Sequence, residues 1–320
     1  MDRIAILTSG GDSPGMNACI RATARHALDR GLSVLGVIKG YEGLIDGVFI
    51  PMESTDVSNI IQRGGTILHT ARSPRFREPD GRAAAADSLR RNSVDGLVVI
   101  GGDGSFRGAH ELYIEHGIPL VGVPATIDND IWGTDLTIGY DTAVNTALEA
   151  IDKVRDTAAA HDRLFIIEVM GRSAGFIALE VGIGAGAEAV LIPETPTDLN
   201  AICDRIQGRI ARGRTSSILV VAEGDEAGDA FRIAEKVKDM SGLKSRVTVL
   251  GHVQRGGSPT TRDRVLASKL GWASVDALME GAQDVMVGEV DNRVVRHPLP
   301  DTWMKRKLLD PLLVTLSENL

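Results

Sequence analysis

Residues 97–105, Leu-Val-Val-Ile-Gly-Gly-Asp-Gly-Ser, join a continuous apolar run to a turn rich in glycine. A short run without polar residues favours a strand that is buried on both faces of a parallel sheet. A helix is predicted at 105–116, with an N-cap-like serine at its start and Gly117 behind it. The stretch therefore predicts a strand–turn–helix unit, the building block of an α/β fold.

The same alternation recurs along the 320 residues. We predict strands at 4–8, 34–38, 97–100, 120–123, 164–170, 189–192, 218–222 and 247–250. Helical periodicity between them predicts helices at 14–30, 105–116 and 142–160. The pattern indicates an α/β fold with doubly wound sheets, and the length favours two domains. Since no Pro/Gly/Ser-rich linker divides the halves, we expect the domains to interleave.

Composition excludes several classes of protein. The chain is 43% hydrophobic and carries a net charge of −8, which argues against a nucleic-acid surface but not against local basic pockets. No apolar run approaches the ~20 residues that span a membrane. The two cysteines are Cys19, in the predicted helix 14–30, and Cys203, in a further apparent helix, and they indicate buried thiols in a reducing cytoplasm. The seven histidines show no metal-ligand spacing, so no zinc site is expected.

Residues 124–130, Pro-Ala-Thr-Ile-Asp-Asn-Asp, follow the apolar run 119–123 and place two carboxylates and a hydroxyl at the end of a predicted strand. Ligands of open α/β sheets bind at the carboxyl ends of strands. Acidic side chains near a core cost free energy unless they have a partner or a function. Together with the turn at 101–105, this segment indicates a site for a metal, phosphates and a proton acceptor.

A second glycine turn, Thr-Ser-Gly-Gly-Asp at 8–12, follows the first predicted strand. Such turns expose backbone N–H groups at a helix N-terminus and can bind anions, although a single one could be a plain tight turn. The P-loop pattern and the G-x-G-x-x-G dinucleotide fingerprint are both absent from it.

Basic side chains and one further carboxylate stand where strand ends or loops are expected. They are Arg72, Arg163, Arg172, Arg246, His252 and Arg255, with Glu223 directly after the run 218–222. Arginine binds phosphate through two parallel hydrogen bonds, although any single arginine could be a solvated surface charge. Mg²⁺, arginines, backbone N–H cradles and one carboxylate base are the components of a phosphoryl-transfer site.

The motifs at 7–12, 101–105, 124–130 and 251–259 together closely resemble those of the bacterial ATP-dependent 6-phosphofructokinase family, over nearly the whole chain. The resemblance implies a glycolytic kinase that transfers the γ-phosphoryl group of Mg·ATP to the 1-hydroxyl of fructose 6-phosphate. It also implies a homotetramer with active sites shared between subunits.

The resemblance further implies two Rossmann-like domains with the active site in the cleft between them. Residues 1–139 and 257–303 would bind ATP and Mg²⁺, and residues 140–256 and 304–320 would bind the sugar phosphate. Carried over by position, Asp128 is the expected general base, and Thr126 and Arg172 stabilise the transferring phosphoryl group. Asp103 would hold Mg²⁺, with Asp130 near the same ion or its waters.

The remaining implied site residues divide by ligand. Gly11 and Arg72 would contact the nucleotide phosphates, and the rest of the nucleotide pocket would comprise Phe76, Arg77, Gly102, Asp103, Gly104, Ser105 and Gly108. The 6-phosphate of the sugar would be bound by His252, Arg255, Arg163 and Arg246, two of them from a neighbouring subunit. Glu223 would contact sugar hydroxyls, with Met170 and Gly171 beside the sugar.

The identity of the phosphoryl donor depends on two small residues. Pyrophosphate-dependent relatives usually carry Asp where this chain has Gly104 and Lys where it has Ala125. Gly104 leaves room for the α-phosphate of ATP, and Ala125 supplies no cation for pyrophosphate. The expectation is therefore ATP, with a pyrophosphate-dependent kinase as the alternative. Ser73 stands where relatives often have an aromatic residue near the adenine.

Regulation by ADP or phosphoenolpyruvate is a further implication of the resemblance. Residues that match the family's effector pocket are Arg21, Arg25, Arg155, Glu188, Arg212 and Arg214. Ser54, Thr55 and Thr215 depart from the pattern, so we expect a weakened or changed response; a basic subunit interface without a ligand is the alternative. A catalytically idle sensing subunit would not need Asp103, Thr126, Asp128 and Arg172 together. The NAD kinase group shares a Gly-Gly-Asp-Gly turn but lacks segments like 124–130 and 252–257.

Overall fold

The computed structural model describes residues 1–159, 164–213 and 216–319. The strands are β1 (Arg3–Ser9), β2 (Ser33–Val37), β3 (Phe49–Met52), β4 (Gly96–Gly101), β5 (Leu120–Pro124), β6 (Leu164–Val169), β7 (Ala189–Leu191), β8 (Ser217–Ala222), β9 (Ser245–Val249), β10 (Val285–Val290) and β11 (Arg293–Pro298). The α-helices are α1 (Met16–Asp29), α2 (Gly40–Asp46), α3 (Pro79–Arg91), α4 (Asp103–His116), α5 (Tyr140–Ala159), α6 (Phe176–Gly184), α7 (Leu199–Ala211), α8 (Ala230–Ser241), α9 (Thr261–Met279), α10 (Asp301–Met304) and α11 (Pro311–Glu318). Short 3₁₀ helices occupy Arg75–Arg77 and Gly251–Arg255.

The chain forms two compact units, and the first comprises residues 1–127, 131–142 and 255–307. Its sheet has the order β11-β10-β5-β4-β1-β2-β3, in which β10, β5, β4, β1 and β2 are parallel and β11 and β3 pair antiparallel at the edges. Alternate residues of β1 enter different cores: Ile4 and Ile6 pack with α1 and α9, and Ala5 and Leu7 with α2, α3 and α4. Burial on both faces explains why these strands are continuously apolar.

The second unit comprises residues 128–130, 143–254 and 308–320. Its four-stranded parallel sheet has the order β7-β8-β6-β9. Leu219 and Val221 of β8 pack with Ile206 of α7 and Ile233 of α8. Helix α6 contacts β8 and packs against α11. The carboxyl ends of β6, β8 and β9 therefore share one edge, where the sequence places several of its predicted site residues.

The predicted fold class, doubly wound α/β, is confirmed. All eight predicted strands exist, with bounds that differ by a few residues. The predicted helix at 105–116 begins earlier, at Asp103, because Gly102 is the N-cap and Ser105 is a buried residue of the first turn. In the part of the chain that the structure describes, no helix is long and apolar enough to cross a membrane.

Candidate active site

The turn after β4 places a carboxylate at the N-terminus of α4. Gly102 is the N-cap, and Asp103 is the first residue of the helix. Backbone N–H groups and the positive end of the helix dipole favour anions at this point. A Cβ added to Gly104 would meet no atom within 4 Å, so the space beside the helix start is open. Asp103 Oδ2 lies 3.8 Å from Nη2 of Arg107, one turn further along α4.

The turn after β1 is in contact with Arg255. The Arg255 Nη1 atom donates a hydrogen bond of 3.0 Å to the carbonyl oxygen of Asp12. A Cβ on Gly11 would lie 2.5 Å from the same nitrogen, so only glycine allows the guanidinium to lie against this backbone. Arg255, a candidate for the sugar phosphate, thus lies beside Gly11, a candidate for the nucleotide phosphates. Both residues belong to the first unit.

The segment 72–77 contributes three exposed arginines around a buried ring. Arg75 is paired with Glu42 and Asp46, which leaves Arg72 and Arg77 as the candidate ligand contacts. The Phe76 ring is 4% exposed and stacks on Tyr41 at 3.8 Å between centroids. A Cβ on Gly108 would lie 3.1 Å from that ring. The side chains of Phe76 and Tyr41 therefore pack closely over Gly108 in the core, and direct ligand contacts in this segment are left to Arg72, Arg77 and the backbone.

Ser73 has a structural role in the same segment. Its hydroxyl donates to Glu42 of α2 and accepts a 3.2 Å hydrogen bond from the backbone N–H of Phe76. Arg75 also binds Glu42, at 2.6 Å. The hydrogen bonds that Ser73 and Arg75 donate to Glu42, together with the charge of Arg75, lower the pKa of the Glu42 carboxyl. Ser73 thereby fixes the start of the 3₁₀ helix that contains Arg77.

The segment after β5 carries the predicted base. Asp128 is completely buried, and its Oδ2 atom lies 3.3 Å from Nε of Arg172. Asn129 lies between Asp128 and Asp130 and has a φ of 54°. This value is in the left-handed region, which Asn tolerates better than most residues. On the first unit, the carbonyl oxygen of Thr126 accepts a 2.7 Å hydrogen bond from Thr137 Oγ1, which anchors the start of the segment.

The turn after β6 carries Arg172 in a left-handed conformation. Gly171 has a φ of 151° and Arg172 a φ of 53°. The backbone N–H groups of both residues donate to Oε1 of Glu223, at 3.3 Å and 2.6 Å. Glu223, predicted to contact sugar hydroxyls, thus also holds this turn. Met170, 8% exposed, lies at its start.

The other candidates for the sugar phosphate lie on or after β9. Arg246 is an exposed residue of β9, and His252 is exposed in the 3₁₀ helix that follows. Both belong to the second unit. Arg163 lies outside the described residues.

A magnesium site built by the protein alone is not evident. Among residues 1–159, 164–213 and 216–319, no cluster of three His, Cys, Asp or Glu side chains could hold a metal ion. Mg²⁺ in kinase sites is commonly bound by one or two carboxylates together with substrate phosphates. Asp103, a carboxylate at a helix start with open space beside it, fits that arrangement.

The effector candidates divide between the two units. Arg21 and Arg25 are one turn apart on α1, and burial together with the charge of Arg25 lowers the pKa of Arg21. Arg155 donates to the carbonyl oxygens of Ala185 and Gly186. Buried Glu188 lies two residues further and pairs with Arg209 at 3.7 Å. Arg212 is exposed at the end of α7, and Arg214 lies outside the described residues.

Three polar residues that organise the site were missed by the sequence analysis. Asp263, 1% exposed, accepts hydrogen bonds from Gly139 and Thr142 at the start of α5, and its burial raises the pKa of the carboxyl. Gln254 and Glu194 each accept a hydrogen bond from the loop that carries Arg172. Gln254 lies inside the recognised motif 251–259, which was the one available signal.

Glycine turns and exposed arginines at strand ends, with a buried carboxylate paired to an exposed guanidinium, are typical of α/β proteins that bind phosphorylated ligands. The sequence pattern of the family described as "Phosphofructokinase" matches residues 3–278. The chain belongs to the phosphofructokinase family.

Curated relatives match along their whole length. The chain is 55% identical to "ATP-dependent 6-phosphofructokinase 1" of Thermus thermophilus over 320 residues, 100% of this chain and 99% of the relative. It is 53% identical to "ATP-dependent 6-phosphofructokinase" of Cytophaga hutchinsonii over 321 residues, 100% of this chain and 98% of the relative.

Solved structures show the same fold. Pichia pastoris phosphofructokinase in the T-state gives a TM-score of 0.91 at 35% identity, covering 99% of this chain and 39% of that chain, so this chain spans less than half of the yeast protein. A pyrophosphate-dependent phosphofructokinase from Marinobacter aquaeolei gives a TM-score of 0.84 over 97% of this chain and 86% of that chain. Its 24% identity shows the fold alone.

Proposed function

We propose that this chain is an ATP-dependent 6-phosphofructokinase. It transfers the γ-phosphoryl group of Mg·ATP to the 1-hydroxyl of fructose 6-phosphate and yields fructose 1,6-bisphosphate and ADP. The observation that carries the proposal is the buried Asp128 beside Arg172, at 3.3 Å, in a chain 55% identical over its full length to an enzyme of that name. Two buried free thiols, Cys19 and Cys203, support a place in the reducing cytoplasm, where glycolysis runs.

On the acceptor side, Asp128 takes the proton from the 1-hydroxyl as that oxygen attacks the γ-phosphorus. A carboxylate can serve as this base because its proton affinity needs to match only that of the hydroxyl oxygen in the transition state, when the bond from this oxygen to phosphorus is already forming. Arg172 and Thr126 stabilise the charge on the transferring group. The 3.3 Å contact between Arg172 Nε and Asp128 Oδ2 supports a role for both side chains at the same reacting group.

On the donor side, the N–H of Gly11 and the side chain of Arg72 bind the nucleotide phosphates. Asp103 would hold Mg²⁺, with Asp130 near the waters of the ion, and the bound ion would neutralise charge on these phosphates. The turn at Gly102, Gly104 and Ser105 lies at the positive end of α4, where anions are favoured.

The acceptor sugar is bound through its 6-phosphate by Arg163, Arg246, His252 and Arg255. Two of these would come from a neighbouring subunit, so the active form is an oligomer, and the family resemblance favours a homotetramer. The hydrogen bond from Arg255 to Asp12 supports a second duty for this arginine, the support of the Gly11 turn. Residues 1–139 and 257–303 thus serve the nucleotide, and residues 140–256 and 304–320 serve the sugar phosphate.

ATP is favoured over pyrophosphate by the space at Gly104. An added Cβ there would meet no atom within 4 Å, so nothing in the first unit fills the room that a longer donor needs. Ala125, 1% exposed, offers no cation for a short, highly charged donor. A pyrophosphate-dependent enzyme is the second candidate, favoured by Ala125 replacing the glycine usual in ATP-dependent relatives.

The two arginines of α1 support an effector site for ADP or phosphoenolpyruvate. Burial, and to a smaller extent repulsion from the like charge of Arg25 one turn away, lowers the pKa of Arg21. An anion would relieve the repulsion. Saturation curves for fructose 6-phosphate, measured with and without each effector, test the site; curves that coincide contradict it.

The proposed function is tested by turnover of the purified protein. Fructose 6-phosphate is supplied with Mg²⁺ and either ATP or pyrophosphate, and fructose 1,6-bisphosphate is measured. We expect product with ATP and loss of turnover when EDTA removes the metal. Product with pyrophosphate alone would favour the second candidate, and binding of both ligands without product would indicate a sensing subunit.

A further inference from the structure

The loop between β6 and α6, residues 170–175, carries Arg172 and is held by side chains from the segments that follow the three other strands of its sheet. Gln254, after β9, accepts a 2.9 Å hydrogen bond from the N–H of Met170 through Oε1. Glu223, after β8, accepts from Gly171 and Arg172. Glu194, after β7, accepts from Gly175 with both carboxylate oxygens, at 2.9 Å and 3.1 Å.

These bonds hold a loop whose own conformation is unfavourable. Arg172 has a φ of 53°, which costs a residue with a Cβ free energy unless the surroundings enforce it. Gly175 has no room for a Cβ, which would lie 2.7 Å from Glu194 Oε2, so the loop and the carboxylate fit closely. Contacts at both ends and in the middle therefore fix the backbone from which the Arg172 side chain extends to Asp128.

We propose that Glu194 and Gln254 are positioning residues for phosphoryl transfer, which hold the loop 170–175 so that the Arg172 guanidinium stays beside Asp128. The inference rests on the proposed function. Glu194 accepts hydrogen bonds from Gly175, the N-cap of α6, and the helix dipole also favours a carboxylate at this helix N-terminus. Gln254 acts from inside the core, with no exposed surface.

The side chain of Gln254 contacts the loop through its carbonyl oxygen. The backbone N–H of Met170 requires an acceptor, which assigns Oε1 to this contact. The Nε2 atom of Gln254 is buried and has no hydrogen-bond partner among the residues that the structure describes. A polar group that leaves its own donor unsatisfied is a poor choice for stability alone.

The test uses near-isosteric variants of the full-length protein. Glu194→Met and Gln254→Met remove the acceptor oxygens, whereas Glu194→Gln retains one. The matched control is Asp229→Ala, which removes a carboxylate that caps α8 of the same unit by accepting a 2.9 Å hydrogen bond from Arg232 N–H. We expect kcat to fall about 10-fold to 100-fold in the two Met variants, with the KM for ATP unchanged, because small displacements of catalytic groups have effects of this size. Glu194→Gln and the control should stay within about threefold of the original kcat.

A double-mutant cycle separates positioning from general destabilisation. If Glu194 and Gln254 act through Arg172, their Met variants should lower kcat by less than about threefold when Arg172→Ala is already present. Effects that add in full, or an equal loss in Asp229→Ala, would overturn the proposal. So would an undiminished kcat in both Met variants.

Hydrogen exchange gives a readout that does not need activity. The amides of Met170 and Gly175 should be protected in the original protein and exchange faster in Gln254→Met and Glu194→Met, respectively. If the original protein failed to turn over fructose 6-phosphate, the proposed function would fail while this exchange pattern still established the clamp. Unchanged exchange in both variants would overturn the clamp whatever the activity.

Discussion

Arg172 Nε lies 3.3 Å from Oδ2 of Asp128, a carboxylate without exposed surface, while the arginine side chain itself is 54% exposed. A buried carboxylate is costly unless a charge or hydrogen bonds compensate it. In this pair the arginine is therefore exposed to solvent, and the carboxylate is shielded from it. In phosphoryl transfer this order is useful, since the cation meets the highly charged donor while the base serves the neutral hydroxyl.

The first prediction concerns the base. Asp128→Asn keeps the shape of the side chain but removes the proton acceptor, so kcat should fall about 10²-fold to 10⁴-fold while the protein stays folded. Steady-state turnover of fructose 6-phosphate with ATP measures this. Asp284→Asn is the control, because Asp284 is a partly buried carboxylate of the first unit that pairs with His110 and has no role in the proposed reaction. A kcat near that of the original protein in Asp128→Asn would refute the base assignment.

The second prediction separates two arginines of the same unit. Arg172→Ala should lower kcat about 10³-fold, since an arginine that stabilises the transferring phosphoryl group contributes in the transition state. Arg246→Ala should instead raise the KM for fructose 6-phosphate with kcat little changed, because binding of the 6-phosphate is the same in the ground state and the transition state. Initial rates over a matrix of ATP and sugar concentrations distinguish the two. Equal effects on KM from both substitutions would contradict the division of roles.

The third prediction tests the donor site by adding a charge without adding a clash. Gly104→Asp meets open space and places a carboxylate in the first turn of α4, so the free energy of unfolding should stay equal or rise by about 0.3–1 kcal/mol. The KM for ATP should nevertheless rise at least about tenfold, because the new charge repels the nucleotide phosphates.

Gly208→Asp is the matched control for that charge, since a Cβ at Gly208 of α7 also meets no atom within 4 Å. It should leave the KM for ATP unchanged. Urea unfolding and ATP saturation curves measure both variants. An unchanged KM in Gly104→Asp would show that the nucleotide does not approach this turn.

Much of this fold could be predicted from the sequence, because strands that are buried on both faces consist of continuous runs of apolar residues, as at 97–100 and 218–222. Three of the strands that the structure describes were missed. β3 and β11 lie at sheet edges, and their mixed residues show no such run. β10 lies inside the sheet between β11 and β5, but Gly288 and Glu289 interrupt its apolar run. The helix start at Asp103 was missed because Ser105, a good N-cap residue by type, is buried in the first turn instead.

The candidate site divides in the same way. Asp128 and Arg172 stand in motifs at strand ends and were predicted. Glu194 and Gln254 were not, because their function depends on contacts with Gly175 and Met170, and the second contact spans 84 residues of sequence. A sequence motif identifies residue types that stand close together in the chain. A hydrogen bond between the ends of two strands depends on the order of strands in the sheet, which the motif does not contain.

The last prediction concerns stability at alkaline pH. Burial raises the pKa of the Cys19 thiol from an ordinary value of 9.0 to about 12. Between these values the unfolded chain has lost the proton and the folded chain keeps it, so the free energy of unfolding falls as pH rises, by about 1.4 kcal/mol per pH unit from this residue. Below pH 9 the contribution of Cys19 is constant.

Urea unfolding between pH 8 and pH 10.5 checks this sign and window. Cys19→Ala should unfold more easily at pH 8, because it leaves a small cavity, but its stability should fall less steeply above pH 9 than that of the original protein. Cys203→Ala is the matched control: it removes the other buried thiol, and its curve should keep the steep alkaline slope. Parallel curves for the original protein and Cys19→Ala would mean that the thiol ionises in the folded state as readily as in the unfolded chain, and that the packing around Cys19 admits water.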